Sequence, residues 1–243
     1  LGHTRAEKLS SISQAVTDIP YLRRSDVPGC ITCNLTKSVR HKIRKISTNQ
    51  ATKQLDIVFI DTWGPYKHPS LGRNKYMLVI DNEYSQMTWV HFMVYKFDVA
   101  DFLPRWINEV ELESGKRLVE VRTDQALELR KVVAVVGVIY EITTAYNPEQ
   151  NAKVERINRT IVTKARSMIA GPGLPKYVWA EAMGTACYLN NLTPSVDNHI
   201  SPLELWTGKK PSVEHLKVYG CVAYVNIDRS RHDKLDLSSK RGS

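Results

Sequence analysis

Residues 55–143 alternate short apolar runs with polar, turn-forming stretches. Five of these runs have the length and composition of β-strands: 55–61, 76–81, 87–95, 118–123 and 138–143. The first is almost continuously apolar, which is typical of a central strand covered on both faces. Asp81-Asn82-Glu83 reads as a turn, so the first three strands are expected to form a meander.

Three segments have helical character. Ala100–Glu113 carries apolar residues at helical spacing, namely Phe102, Leu103, Trp106, Ile107 and Val110. A second helix is predicted from about Glu149 to Ile169, ended by Gly171-Pro172-Gly173, and a third from Lys176 to Leu192. Strands interleaved with helices in this order predict an α/β protein: a mixed five-stranded sheet flanked by helices, as in the ribonuclease H-like fold.

The charge of the chain is strongly positive and unevenly placed. The formal net charge is +9, which favours a polyanionic partner, and nucleic acid before a membrane surface. The segment 27–55 contains bases and no acid: Lys37, Arg40, Lys42, Arg44, Lys45 and Lys53. This strip is either a solvated linker or a phosphate-contacting surface.

The remaining composition narrows the class of protein. The sequence contains no apolar run long enough to span a membrane and no secretory signal, so no membrane partner is expected. The cysteines do not form a disulfide framework, which suits a reducing compartment. Cys187 and Cys221 lie in apolar contexts and are expected to be buried thiols. The chain begins at Leu1 without a methionine, as a piece of a larger polyprotein would.

Three acidic residues are candidates for one site. Asp61 and Asp124 each follow a strand-like run, and Glu155 lies on the predicted second helix. A single aspartate after a strand is usually a turn or helix cap, but three converging carboxylates would repel each other unless a cation held them ionised. A pair of Mg²⁺ ions satisfies such a cluster and supports phosphoryl transfer on DNA.

Basic residues accompany Glu155 on its helix. Glu155, Arg159, Val162 and Arg166 share one helical face at three- and four-residue steps. Glu155 and Arg159 form either an exposed salt bridge or part of a catalytic face laid against DNA. In the second interpretation Arg159 and Arg166 face phosphates, while Asn151 and Lys153 flank the reacting end.

The segment TAYNPEQNAKVERINRTIVTKARSMI is followed by LPKYVWAEAMGTACYLNN, SPLELWTGKKP and HLKVYGCVAYV. Together these stretches resemble the integrase of Ty1/copia-type retrotransposons, and the resemblance covers essentially the whole chain. It implies a polynucleotidyl transferase with Asp61, Asp124 and Glu155 as catalytic metal ligands for two Mg²⁺ or Mn²⁺ ions. The implied reactions are 3′-end processing of element DNA and its strand transfer into target DNA.

The resemblance also implies a domain plan and partners. The expected parts are a truncated His-His-Cys-Cys module at 1–35, a basic linker at 36–53, a ribonuclease H-like integrase core at 54–170, a helical extension at 171–227 and a polar, frayed tail at 228–243. DNA is the expected partner, with homo-oligomers bringing two DNA ends together. The expected location is the nucleus and a cytoplasmic virus-like particle. The expected DNA-binding residues are Lys37, Arg40, Lys42, Arg44, Lys45, Asn151, Lys153, Arg156, Arg159 and Arg166.

Zinc is a further expected metal. Cys30 and Cys33 form a Cys-x-x-Cys pair, and His3 lies upstream within an LGH element. Structural zinc takes four ligands. Family members place a further histidine just before the LGH segment, and His3, Cys30 and Cys33 are the part of that set present here.

Three departures from the family pattern leave a second function open. The spacing between Asp124 and Glu155 is shorter than is usual in the family, so about one helical turn is missing. Asp124-Gln125-Ala126 and Asn151-Ala152 both lack a glycine that the family places there, where backbone freedom is expected. The alternative function is therefore a catalytically degenerate, nucleic-acid-binding remnant of an integrase. A ribonuclease H-like nuclease acting on other substrates shares the fold but leaves the zinc-like module unexplained.

Overall fold

The computed structural model describes residues 8, 12, 15–19, 51–123, 139–142, 148–194, 199–228 and 237–242. Its central feature is a five-stranded sheet in the order β3-β2-β1-β4-β5. The strands are β1 (Ile57–Trp63), β2 (Tyr76–Asn82), β3 (Thr88–Met93), β4 (Glu120–Thr123) and β5 (Ile139–Ile142). Strands β1 to β3 are antiparallel, whereas β4 runs parallel to both β1 and β5. The prediction of a mixed α/β fold is confirmed.

Within the described ranges the sheet is accompanied by the helices α1 (Val99–Ser114), α2 (Pro148–Ala170), α3 (Trp179–Asn191) and α4 (Pro202–Thr207). Short 3-10 turns at Lys96–Asp98 and Lys176–Val178 lead into α1 and α3. The α1 helix ends where Gly115 takes a left-handed conformation, with φ of 66°, and donates its N–H to the carbonyl of Glu111.

The helices cover both faces of the sheet because side chains alternate along each strand. Val58 and Ile60 of β1 pack with Leu103 and Ile107 of α1 on one face. Phe59 faces the other way and belongs to a cluster shared with helices α2 and α3. The β1 strand is therefore covered on both faces, as its apolar run predicts.

The described part of the N-terminal segment joins this second cluster. Ile12 and Val16 are buried among the side chains of α2 and α3. Thr17 forms a parallel bridge with Ser212, and the Ser212 hydroxyl donates a hydrogen bond of 2.7 Å to Asp18. Residues assigned from the sequence to the N-terminal module thus contribute to the core below the sheet.

Three expectations from the sequence are wrong. Asp81 and Asn82 are the buried last residues of β2 and do not form a turn. The tail is not wholly frayed, because β7 (Ser239–Gly242) pairs antiparallel with β6 (Ala223–Asn226). Cys187 is buried as expected, but Cys221 is exposed, because it lies in an irregular segment before β6 rather than on a helix.

None of the helices among the described residues is both long enough and apolar enough to cross a membrane.

Candidate active site

A cleft with a volume of about 610 Å³ opens at the end of β1. Its wall combines the end of β1 and the turn after it with one face of α2. The lining residues are Asp61, Thr62, Trp63, Gly64, Pro65, Glu155, Asn158, Arg159 and Val162. Two of the three acids predicted from the sequence, Asp61 and Glu155, therefore line the same cleft although they are distant in the sequence.

Asp61 is held toward α2 by its position in β1. Because Phe59 points into the cluster below the sheet, the alternation of the strand directs Asp61 to the same face. One oxygen of the Asp61 carboxylate accepts the backbone N–H of Thr62 at 2.8 Å. The other oxygen accepts a hydrogen bond of 2.5 Å from the side-chain amide of Asn158.

Asn158 is the side chain that fixes Asp61 against the helix. It is buried, and donation through its Nδ2 to Asp61 turns its Oδ1 atom away from the carboxylate. That Oδ1 atom is buried and accepts no hydrogen bond from the part of the chain that the structure describes. Asn158 had no assigned role in the sequence, although its position three residues after Glu155 places it on the same helical face.

Glu155 and Arg159 form the outer wall of the cleft. Both side chains are exposed, and neither has a hydrogen-bond or ion-pair partner among the described residues. The exposed salt bridge between them, left open by the sequence, is not formed. The cleft thus offers a carboxylate and a guanidinium that are both accessible to a ligand.

The other predicted basic residues of α2 lie elsewhere. Arg156 is exposed and does not line the cleft, and Arg166 lines an adjoining cavity. Lys153 points toward the sheet, with its ammonium 3.3 Å from Asp81 Oδ2 and 5.3 Å from the centre of the Phe59 ring. The ion pair joins α2 to β2.

Asp81 is fully buried, and sequence reasoning missed it. Its other carboxylate oxygen accepts a hydrogen bond of 3.0 Å from the Thr88 hydroxyl. Burial raises the pKa of the Asp81 carboxyl above its ordinary value, while the Lys153 ammonium opposes that rise. The pair could not be predicted from the sequence, because Asp81 and Lys153 are distant along the chain.

Several predicted site residues lie outside the described residues. They are Asp124, His3, Cys30, Cys33, Lys37, Arg40, Lys42, Arg44 and Lys45. Asn151 lies within α2, where only the backbone is described. Within the described residues, no group of three or more histidine, cysteine, aspartate or glutamate side chains is placed to hold a metal ion. The zinc set and the complete acidic triad therefore stay predictions.

Known proteins have sequences similar to that of this chain. The chain is 34% identical over 246 residues to the "Retrovirus-related Pol polyprotein from transposon TNT 1-94" of Nicotiana tabacum, covering 98% of this chain and 18% of the relative. It is 27% identical over 247 residues to the corresponding polyprotein from transposon RE2 of Arabidopsis thaliana, covering 99% of this chain and 17% of that one. No protein-family model matches the chain.

A solved structure shows a similar fold. It is the cryo-EM structure of the simian T-cell lymphotropic virus intasome in complex with PP2A regulatory subunit B56 gamma. One of its chains superimposes with a TM-score of 0.54 at 14% identity, over 96% of this chain and 86% of that chain.

The sheet, its helical layers and the acid-lined cleft define a mixed α/β protein with the fold of that intasome chain. The chain is homologous over nearly its whole length to the retrovirus-related Pol polyproteins of transposons. This confirms the relationship indicated by the sequence motifs. The chain spans less than a fifth of the length of these relatives.

Proposed function

We propose that this chain is the integrase segment of a retrotransposon Pol polyprotein, which trims the 3′ ends of element DNA and joins them to target DNA. The observation that carries the proposal is the convergence of Asp61 and Glu155 in one cleft beside Arg159. The names of the two relatives supply the retrotransposon context, and the structural neighbour belongs to an intasome.

The donor set of the cleft fits hard divalent cations. Mg²⁺ and Mn²⁺ prefer oxygen ligands, and the described acids of the cleft are the carboxylates of Asp61 and Glu155. Glu155 has no competing protein partner among the described residues. Asp61 and Glu155 would hold the ions, with Asp124 proposed as the third ligand. Two ions bound there would supply activation of the attacking oxygen and charge stabilisation at phosphorus.

Two other side chains of the cleft, Asn158 and Arg159, orient the Asp61 carboxylate and bind the DNA phosphates in this proposal. Asn158 keeps the Asp61 carboxylate turned toward α2 through its hydrogen bond. The exposed Arg159 guanidinium lines the cleft, where it can donate two N–H bonds to two oxygens of one phosphate group. The cleft is open to solvent, which suits a polymeric substrate better than an enclosed small molecule.

The proposal extends to partners and location. The net charge of +9 supports DNA as the substrate, with the basic strip at 36–53 as a second contact surface. We further propose homo-oligomers that hold two DNA ends, action in the nucleus after assembly in a cytoplasmic virus-like particle, and zinc bound by His3, Cys30 and Cys33.

Joining and nicking of a labelled branched DNA in Mn²⁺ test the proposal. Wild type is compared with Asp61→Asn and Glu155→Gln, and we expect each substitution to reduce turnover by at least about 100-fold. Matched controls are Asp101→Asn and Glu109→Gln, which change exposed acids on α1 across the sheet and should leave turnover unchanged.

DNA binding measured by fluorescence anisotropy separates the two candidate functions. An integrase loses turnover in the cleft variants while its affinity for DNA stays within about twofold. No turnover in wild type, or equal turnover in all variants, would support the alternative of a degenerate remnant that binds DNA by charge. In that case the affinity falls steeply with salt, whether or not the acids are present.

A further inference from the structure

The residues two positions before the three candidate acids come together behind the cleft. They are Phe59 before Asp61, Arg122 before Asp124 and Lys153 before Glu155. Phe59 lies on β1, Arg122 on β4 and Lys153 on α2, so they join three separate elements. We call these three residues the support layer. The lining of the cleft, as far as the structure describes it, includes none of them.

One row across the sheet contains most of the support layer. Phe59 of β1 pairs with Arg122 of β4 on one side and with Asp81 of β2 on the other. Residues paired in this way point to the same face of a sheet, and Phe59 belongs to the cluster shared with α2 and α3. All three side chains therefore point to the side of the sheet that α2 covers, where Lys153 meets two of them.

The Phe59 ring is contacted by two cations that come from different elements. The guanidinium carbon of Arg122 lies 5.8 Å from the ring centre, and the ammonium nitrogen of Lys153 lies 5.3 Å from it. The face of an aromatic ring attracts a cation within about 6 Å, most strongly where water is excluded. Phe59 and Arg122 are both buried. The ring therefore attaches both β4 and α2 to β1.

Each of these cations has its own carboxylate. Arg122 Nε lies 2.5 Å from Glu120 Oε1 on the same strand, and Lys153 Nζ lies 3.3 Å from Asp81 Oδ2. Without these partners the two cations would repel each other beside the ring. Apolar side chains of similar volume often replace buried ion pairs without loss of stability, so stability alone does not account for these charges. Defined directions between the elements do account for them.

The support layer lies one step from the acids. Residues two apart in a strand point to the same face about 7 Å apart, so Asp61 follows Phe59 on that face. In α2, residues two apart differ by about 200° around the axis. Attachment of Lys153 to the sheet therefore turns Glu155 toward the outer wall of the cleft, where it is exposed. The rotation of α2 about its axis is thus fixed by Lys153.

We propose that Phe59, Arg122 and Lys153 are positioning residues of the cation site. Their contacts set the separation of β1, β4 and α2, and therefore the separation of the carboxylates that these elements carry two residues further on. This inference rests on the proposed function, because that function places divalent cations between those carboxylates. It adds that the affinity of the site for cations depends on side chains that contact neither the ions nor the DNA.

Binding of Mn²⁺ to the full chain without DNA tests the proposal. The signal of free Mn²⁺ in electron paramagnetic resonance measures it, at a temperature where circular dichroism shows every variant folded. The binding that Asp61→Asn removes defines the site. Phe59→Leu removes the ring but keeps an apolar side chain, and should weaken this binding about tenfold or more. Phe102→Leu is the matched control: this ring packs on the other face of the sheet, and Mn²⁺ affinity should stay within about twofold.

Lys153 separates a positioning role from a role in stability. Lys153→Met should weaken Mn²⁺ binding, whereas Lys153→Arg keeps a cation beside the ring and should recover most of the affinity. The double variant Lys153→Met/Asp81→Asn removes both charges of the ion pair. It should regain much of the stability toward urea that Lys153→Met loses, but not the Mn²⁺ affinity, because the ring still lacks this cation.

Three outcomes would overturn the proposal. The first is recovery of both stability and Mn²⁺ affinity in the double variant. The second is the same affinity in Lys153→Met and Lys153→Arg, and the third is the same affinity in Phe59→Leu and Phe102→Leu. If Phe59→Leu does not fold, the Lys153 variants decide.

Steady-state kinetics supply a second readout. In Phe59→Leu we expect kcat at limiting Mn²⁺ to fall about tenfold and to recover when Mn²⁺ is raised. The KM for DNA should stay within about twofold of wild type, because Phe59 is buried and does not line the cleft. A raised KM with unchanged kcat would contradict a positioning role for the cation site.

The two proposals fail separately. Mn²⁺ binding that depends on the support layer, without turnover in wild type, would contradict the integrase function and keep the positioning role. Turnover in wild type, with Mn²⁺ affinity unchanged in the Phe59 and Lys153 variants, would do the reverse. A wild-type chain that binds no Mn²⁺ at Asp61 would also overturn the positioning role.

Discussion

The ammonium of Lys153 lies 3.3 Å from the carboxylate of the fully buried Asp81, and so ties the start of α2 to β2. The same ammonium is 3.4 Å from the carbonyl of Glu83, to which it donates a hydrogen bond. Glu155 follows Lys153 by two residues. The ion pair therefore holds the part of α2 that carries Glu155 against the sheet beside the cleft. The sequence suggested Lys153 as a DNA contact, and the structure gives it a partner inside the protein.

Removal of the cation should destabilise the fold. Lys153→Met leaves Asp81 buried without its counter-charge, and we expect a loss of about 2 kcal/mol in the free energy of unfolding. The double variant Lys153→Met/Asp81→Asn should lose less than the sum of the single losses, because the pair is coupled. Urea denaturation measures the free energy of unfolding of the single and the double variants. Lys67→Met, at an exposed lysine, is the control and should change stability by less than about 0.5 kcal/mol.

The stability of the chain should depend on pH through Asp81. Burial raises the pKa of this carboxyl in the folded state above its ordinary value of 3.8, so the folded chain binds a proton that the unfolded chain has released. Stability contributed by this group is therefore present at low pH and falls as the pH rises through the raised pKa. Asp81→Asn should remove this fall in stability with rising pH. Urea denaturation midpoints of wild type and variant, measured from about pH 4 upward, would show the difference. Asp101→Asn should keep the wild-type profile; equal profiles in all three proteins would contradict the prediction.

Asn158 offers a test of cation binding that does not depend on turnover. Asn158→Asp places a second carboxylate beside Asp61, and repulsion should lower the melting temperature in the absence of divalent metal. Added Mg²⁺ should restore more of the melting temperature in Asn158→Asp than in Asn158→Ala, which lacks the extra charge. The same Mg²⁺ response in both variants would argue against a cation site at Asp61.

The two described cysteines should differ sharply in reactivity. Cys187 is buried, donates its S–H to the carbonyl of Thr88 at 3.2 Å, and has its pKa raised to about 12 by burial. Because only thiolates alkylate readily, iodoacetamide at about pH 8 should modify the exposed Cys221 and spare Cys187 until urea unfolds the chain. Peptide mass spectrometry separates the two sites. Rapid labelling of Cys187 in native buffer would show that α3 opens locally.

The strands and helices that pack against one another could be predicted well from the sequence, because their apolar periodicity records burial. The β1 strand and the α1 helix are examples: the predicted spans 55–61 and 100–113 correspond to Ile57–Trp63 and Val99–Ser114. Asp81 was misjudged for a physical reason. A buried carboxylate is tolerated where a distant cation compensates it, and local composition does not contain that information.

The site was predictable to a similar extent. The convergence of Asp61 and Glu155 followed from strand ends, helix faces and the family resemblance, and the cleft contains both. The role of Asn158 and the packing of Trp63 against Trp179 could not be predicted. Each is a contact between residues about a hundred positions apart: the hydrogen bond from Asn158 to Asp61, and the 5.5 Å between the rings of Trp63 and Trp179. The paired β6 and β7 strands were missed because each has four residues, too few to show a period of alternating burial.

Glu155 is exposed and makes no hydrogen bond or ion pair with the described residues, so the folded state gains little from it. A chain that lost this glutamate by a single mutation would therefore be expected to keep its fold. Under the proposed function, selection on folding would not preserve the carboxylate, and only selection on the reaction itself would.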